Sequence, residues 1–98
     1  MNTQKKTEQL NQITLPTLHT NGTSARELTK AYSEAAAAVG AAIKAAAKTG
    51  PNGRDYYCSP DSKALENAIS EHCARMEFLY KIKEELDELA RHCFHYLK

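Results

Sequence analysis

Two stretches of this chain repeat their apolar residues at helical spacing, and the remainder leads into them or separates them. Between Ser24 and Thr49 the positions Leu28, Tyr32, Ala35, Val39, Ala42 and Ala46 step by fours and threes, which predicts one helix with a single apolar stripe. A second, longer pattern runs through Leu65, Ile69, His72, Met76, Leu79, Ile82, Leu86, Leu89, Cys93 and Leu97. Its mostly three-four spacing is the one used in antiparallel helix packing.

The punctuation supports these limits. Ser24 followed by Glu27 matches a capping box, so helix 1 is expected over residues 24–49. It stops at Thr49-Gly50-Pro51, where glycine can supply a left-handed C-terminal residue and proline cannot continue the helix. Asn52-Gly53 then makes a turn within a connector at 50–58. Ser59-Pro60-Asp61 reads as cap, first position and dipole-compatible acid, which places helix 2 at 59–96.

About 25 residues in helix 1 make a rod of roughly 37 Å, against roughly 57 Å for about 38 residues in helix 2, so helix 2 must overhang. The overhang is expected to carry Leu86, Leu89, Phe94, Tyr96 and Leu97, which need cover from an arm or another subunit. Residues 1–12 read as a flexible tail and 13–23 as an extended arm, because Pro16 forbids a helix through Ile13-Thr14-Leu15-Pro16-Thr17-Leu18. Ile13, Leu15 and Leu18 give that arm something to bury.

The fold class that follows is all-α: one domain, 1–98, built as an antiparallel two-helix hairpin with an extended N-terminal arm. Ala36, Ala37, Ala38, Ala41, Ala45 and Ala47 surround the stripe of helix 1 and let a second backbone approach closely, and Gly40 suggests a tightly packed neighbour. A chain of 98 residues builds only a marginal core by itself. Assembly into a homo-oligomeric helical bundle is therefore expected.

Composition narrows the function classes. Thirteen Lys and Arg against twelve Asp and Glu leave a net charge of +1, with no basic excess of the sort that binds duplex nucleic acid. Residues 1–58 hold seven basic and four acidic residues, a net of +3, and residues 59–98 hold six and eight, a net of −2. Glu77, Lys81, Glu85, Asp87 and Arg91 are spaced for ion pairs along a wet helix face. The run Ala35 to Ala47 is interrupted by Gly40 and Lys44 and is too short for a membrane span. Three cysteines without CxxC spacing or a secretory signal point to a reduced, cytoplasmic setting.

Candidate chemistry concentrates in the connector. Asn52, Arg54, Tyr56 and Tyr57 follow a glycine-containing turn and precede a helix N-terminus, a combination able to hold phosphate or carboxylate and to stack a base. The same residues also suit a structural role, with Asp55 pairing or capping and the tyrosines plugging the end of the hairpin. A second candidate is the turn before helix 1, where Thr23, Ser24 and Arg26 lie at a helix N-terminus with Lys30 one turn on, or simply form a capped helix with solvated bases. The two candidates sit at opposite ends of helix 1, so they can meet only across an antiparallel subunit pair.

His72-Cys73 and His92-Cys93 with His95 lie too far apart on one helix to share a metal within the chain; Cys73 and Cys93 are expected to be buried apolar residues, and His72 an inward residue with one satisfied nitrogen. No nucleophile has a base at readable spacing, so neither an enzyme, a cofactor nor a metal is expected.

The segments Asn21-Gly22-Thr23-Ser24, Pro51-Asn52-Gly53-Arg54-Asp55-Tyr56-Tyr57 and Ser70 to Arg75 together resemble a group of small proteins encoded by tailed phages and prophages, over roughly residues 13–95. A looser likeness is to the viral anti-CBASS sponges, short two-helix chains that assemble symmetrically and sequester cyclic oligonucleotide immune signals between subunits. Pro51, Gly53, Arg54 and Asp55 look like the family's turn, and Ser62, Lys63, Leu65, Glu66 and Ala68 look like its helix entry. The resemblance implies a ligand contact for Arg54. The chain departs from that pattern in having no tryptophan, in the extra residues between turn and helix, and in its longer second helix.

The function expected from these readings is a non-enzymatic phage-type sponge, acting in the host cytoplasm. It would hold a cyclic oligonucleotide, an ADP-ribose-like molecule or another phosphate-bearing ligand between subunits, with Arg54, Tyr56, Tyr57, Asn52, Thr23, Ser24 and Arg26 in the pocket. The alternatives are a small phage protein that binds and regulates a host protein through its connector or Ala-rich face, and a structural phage protein whose motifs only organise the oligomer.

Overall fold

The computed structural model describes residues 13–97. Two α-helices, α1 (Ala25–Ala47) and α2 (Ala64–Phe94), pack side by side, joined by a connector that contains a short 3-10 turn, Gly53–Asp55. There is no strand among the described residues, so the chain is an all-α hairpin. The expected tail at 1–12 lies outside the described residues.

Helix α1 begins where its sequence says it should. Ser24 adopts an extended backbone and its Oγ accepts a hydrogen bond from the Glu27 amide at 3.0 Å, which satisfies one of the free N-terminal donors. The preceding turn is closed by a bond from the Gly22 amide to the His19 carbonyl, 3.1 Å. A Cβ at Gly22 would lie 2.9 Å from the exposed His19 ring, so a side chain there would displace that ring.

The end of α1 differs from expectation. No described glycine has a positive φ, and Gly50 does not act as a left-handed cap. The last turn instead tightens into i→i+3 bonds, Lys48 N–H to the Ala45 carbonyl and Thr49 N–H to the Ala46 carbonyl, with Thr49 Oγ1 donating to the same Ala46 oxygen at 2.6 Å. The Ala45 and Ala46 carbonyls are met without a left-handed residue, and Pro51 ends the run.

Helix α2 starts at Ala64, later than the Ser59 the sequence predicted. Ser59 and Asp61 use their side chains locally: Ser59 Oγ accepts from the Asp61 amide at 3.1 Å, and Asp61 Oδ1 accepts from the Lys63 amide at 2.9 Å. These two-residue loops compete with helical bonding and hold the segment in turns. The later start shortens α2 relative to the expected 59–96. At 1.5 Å per residue α1 is about 35 Å long and α2 about 46 Å.

Gly40 faces Lys83, Gly50 faces His72 and Gly53 faces Leu65, so α1 runs beside the C-terminal two-thirds of α2 and the connector folds over its N-terminal turns. The overhang is therefore at the beginning of α2. Leu86, Leu89 and Leu97 are half-buried along the paired region, while Phe94 and Tyr96 remain exposed.

The arm packs on its own chain. His92 Nε2 lies 2.7 Å from the Pro16 carbonyl oxygen, a hydrogen bond spanning most of the chain, and Ile13, Pro16 and Leu18 are half-buried while Leu15 is exposed.

The seam itself is narrower than the predicted stripes. Among the described residues Ala36, Ile43 and Cys93 are the buried apolar ones, whereas Ala42, Ile69 and Ile82, all assigned to the seam by spacing, are exposed. Of the stripe counted from Leu28, Leu28, Tyr32, Ala35, Val39 and Ala46 are half-buried and Ala42 alone is exposed, the deepest burial falling one position on, at Ala36 and Ile43. The close neighbour expected at Gly40 is the Lys83 stem, whose Cε would stand 3.3 Å from a Cβ there. Lys83 continues to Asp87, with Nζ to Oδ2 at 2.8 Å; Lys30 and Glu34 form a looser, exposed pair at 3.9 Å.

The Ile43→Ala substitution should lower stability by roughly 2–4 kcal/mol, whereas Ala42→Ser should cost about 0.5 kcal/mol or less. Thermal melts followed by circular dichroism separate the two, and equal effects would mean the seam is wrongly drawn.

Candidate functional site

The connector is built almost entirely from hydrogen bonds between near neighbours. Asn52 caps the 3-10 turn, its Oδ1 accepting from the Arg54 amide at 3.0 Å while its carbonyl accepts from the Asp55 amide at 2.9 Å. The Gly53 carbonyl accepts from both Tyr56 and Tyr57, at 3.0 and 3.1 Å, and the Tyr56 carbonyl from Ser59 at 3.0 Å. Each bond spans four residues or fewer, so the turn is specified locally and the side chains it carries are left for other uses.

Those side chains divide. Tyr56 is half-buried, while Arg54 is exposed and Tyr57 is 80% exposed. Asp55 neither caps the turn nor pairs with Arg54: Asn52 is the cap, and the ion pairs among the described residues are Lys30–Glu34 and Lys83–Asp87. Tyr57 does not plug the hairpin. Arg54 thus presents a guanidinium without a carboxylate partner among the described residues, and Tyr57, three residues on, presents an aromatic ring open to solvent.

The second predicted group lies elsewhere. Ser24 is committed to capping α1, and Thr23 and Arg26 are exposed beside it. Thr23, Ser24 and Arg26 stand at the start of α1, whereas Asn52, Arg54, Tyr56 and Tyr57 follow its end. The length of that helix, about 35 Å, separates the two groups within one chain.

Between the helices the surface forms two shallow grooves. One, of ≈ 460 Å³, is lined by Ala37, Gly40, Ala41 and Ile43 of α1 and by Tyr80 and Lys83 of α2, with Lys44 at its rim. The other, of ≈ 370 Å³, is lined by Thr29, Ser33, Ala90, Arg91, Phe94 and His95. Sequence reasoning assigned neither, because small residues and a lysine stem make a groove only once two helices are set at a particular rotation.

The cysteines and histidines take different roles from those expected. Cys93 is fully buried, and burial pushes its thiol pKa up from the ordinary 9.0, but Cys73 is exposed, as is Cys58. Cys73 points away because it lies one residue past the seam position His72. The Nδ1 atom of His72 is buried without a hydrogen-bond partner, in place of the satisfied nitrogen expected. The histidine that is bonded into the fold is His92, to Pro16, and it also meets Tyr96 edge to face with ring centroids 5.3 Å apart. Nothing in local spacing signals that long-range bond.

Among the described residues no three His, Cys, Asp or Glu side chains converge as a metal site would need, and no helix is long and apolar enough to cross a membrane. No protein-family model, curated protein or solved structure matches the chain.

Thiol accessibility checks this arrangement. At pH 8 a disulfide reagent should label Cys58 and Cys73 quickly and Cys93 only on unfolding. Because the folded-state pKa of Cys93 lies above its unfolded value, its contribution to stability is complete below pH 9 and is lost as the pH rises through the folded value. Three equally fast thiols would show that Cys93 is not enclosed.

Proposed function

We propose that this protein is a non-enzymatic, phage-type sponge: a homo-oligomer of helical hairpins that sequesters a nucleotide-derived, phosphate-bearing immune signal at subunit boundaries in the host cytoplasm. The observation that supports it most directly is the connector. Arg54 is exposed with no acidic partner among the described residues, and Tyr57 is open to solvent on a turn whose backbone is held by its own hydrogen bonds.

A guanidinium fork suits two phosphate oxygens, and a free tyrosine ring suits the face of a base. A pre-shaped turn loses little conformational freedom on binding. The resemblance of Pro51 to Asp55 to the anti-CBASS sponge turn is consistent with this chemistry, and cyclic oligonucleotides or ADP-ribose derivatives are the ligand class it favours.

The hairpin also supports a shared site. Thr23, Ser24 and Arg26 can join Asn52, Arg54, Tyr56 and Tyr57 only if an antiparallel partner brings the start of its α1 to this connector. Two equivalent sites would then form around each two-fold axis.

Calorimetry with cyclic di- and trinucleotides and ADP-ribose derivatives tests the reading, together with native mass spectrometry. Arg54→Ala should weaken binding by about tenfold to a hundredfold, with the oligomer mass unchanged. Loss of the oligomer in that variant, with affinity retained, would make Arg54 structural. Silence across the panel combined with capture of one host protein would favour the alternative, a regulator that binds a host protein through the connector or the Ala-rich face of α1.

A further inference from the structure

Among the described residues Cys93 is the most deeply enclosed. It is 0% exposed, whereas Ala36 and Ile43, the buried residues of α1, are 4% and 7% exposed. Two helices side by side cover each other on one side only, so complete enclosure calls for a third element at Cys93.

The neighbours of Cys93 on α2 show which element this is. Successive helical residues are rotated by about 100°. His92, to one side of Cys93, meets the arm through Nε2 and the Pro16 carbonyl oxygen at 2.7 Å. Ala90 and Phe94, to the other side, line a groove with Thr29 and Ser33 of α1. Cys93 therefore lies at the junction of α1, α2 and the arm, and the arm closes the side that α1 leaves open.

The three walls are not held equally. Each helix is fastened by its own ladder of backbone bonds. Residues 13–18 of the arm have no regular structure, and among the described residues the Pro16–His92 bond is the one hydrogen bond that joins them to the rest of the chain. A carbonyl oxygen can only accept, so Nε2 of His92 carries the hydrogen and the latch is a single N–H to oxygen bond. Tyr96, edge to face with the same ring, steadies its orientation. Ile13, Pro16 and Leu18 are half-buried, while Thr14, Leu15 and Thr17 are exposed. A segment with so few bonds and so much exposed backbone opens at a lower free energy than the elements it covers.

We propose that the arm is a strap, latched by Pro16 on His92, that opens while α1 and α2 stay paired and thereby uncovers Cys93. The unfolding that frees this thiol is that of the arm alone. The hairpin then has two forms, one with Cys93 sealed and one with it accessible, and the balance between them is set by the latch and by the burial of Ile13 and Leu18. The strap depends neither on the proposed ligand nor on an oligomer.

The full chain, treated with a disulfide reagent at pH 8 in increasing urea and followed by intact mass, tests this. Cys58 and Cys73 are exposed and react first, so the third addition reports Cys93. In the wild type its rate should be nearly flat at low urea, because opening the arm exposes little surface, and should climb only where global unfolding takes over. His92→Phe keeps a ring against Tyr96 but removes the donor, and should speed the third addition about tenfold without urea. His92→Gln can donate from nearly the same place and should stay within about threefold of the wild type. Leu18→Ala should also speed the reaction. Ile43→Ala weakens the seam in the closed and open forms alike, so it should lower the melting temperature and leave the low-urea rate unchanged.

A wild-type rate that follows global unfolding with its full urea slope would overturn the strap. So would acceleration by Ile43→Ala with none by His92→Phe, since Cys93 would then be reached by parting the helices. The urea slope is read on the wild type, so the answer does not depend on any variant folding.

Discussion

The contact on which the rest of the hairpin depends is the close approach of α1 to α2 along Ala36, Gly40 and Ile43. Small residues on α1 let the α2 side chains reach across the seam, and the Lys83 stem occupies the space that a side chain at Gly40 would need. The same choice limits what the contact can bury. A seam lined by Ala and Gly contributes little apolar area per turn, so the pair is held by few large side chains and stays one layer thick. Exposed Phe78, Tyr80, Phe94 and Tyr96 follow from that geometry, since two helices cover only one side of each other.

Two long-range devices add to the seam. The arm returns along the C-terminal part of α2 and is pinned by Pro16 to His92, with Tyr96 packed on the imidazole edge. The connector folds back over the first turns of α2, where Gly53 meets Leu65. Each end of the hairpin is thereby covered by a segment without regular helix.

The connector relates structure to proposed function through the same economy. Its bonds run between neighbours, so its shape survives without deep packing; Arg54 and Tyr57 contribute their backbone amides to it, while their side chains are left exposed. Residues that a fold does not use are available for recognition. Their distance from Thr23, Ser24 and Arg26 makes any shared pocket a property of an assembly.

Helix existence, the Ser24 cap, the stop before Pro51 and the turn at Asn52 were determined by the sequence alone, because each depends on contacts within about one helical turn. Rotation of the seam was not. Ala42, Ile69, Ile82 and Cys73 have the right residue type and nearly the right spacing to be buried, yet a modest rotation about each helix axis decides which side chains meet the partner. The late start of α2 also escaped the pattern, since Ser59 and Asp61 can cap a helix or close a local turn with the same oxygens. The overhang at the N-terminal end of α2 is set by the register of the two helices, with Gly40 beside Lys83 and Gly50 beside His72, which local spacing does not encode. The His92 bond and the grooves belong to the tertiary structure entirely: they join residues distant in sequence, and only the relative placement of arm and helices brings them within reach.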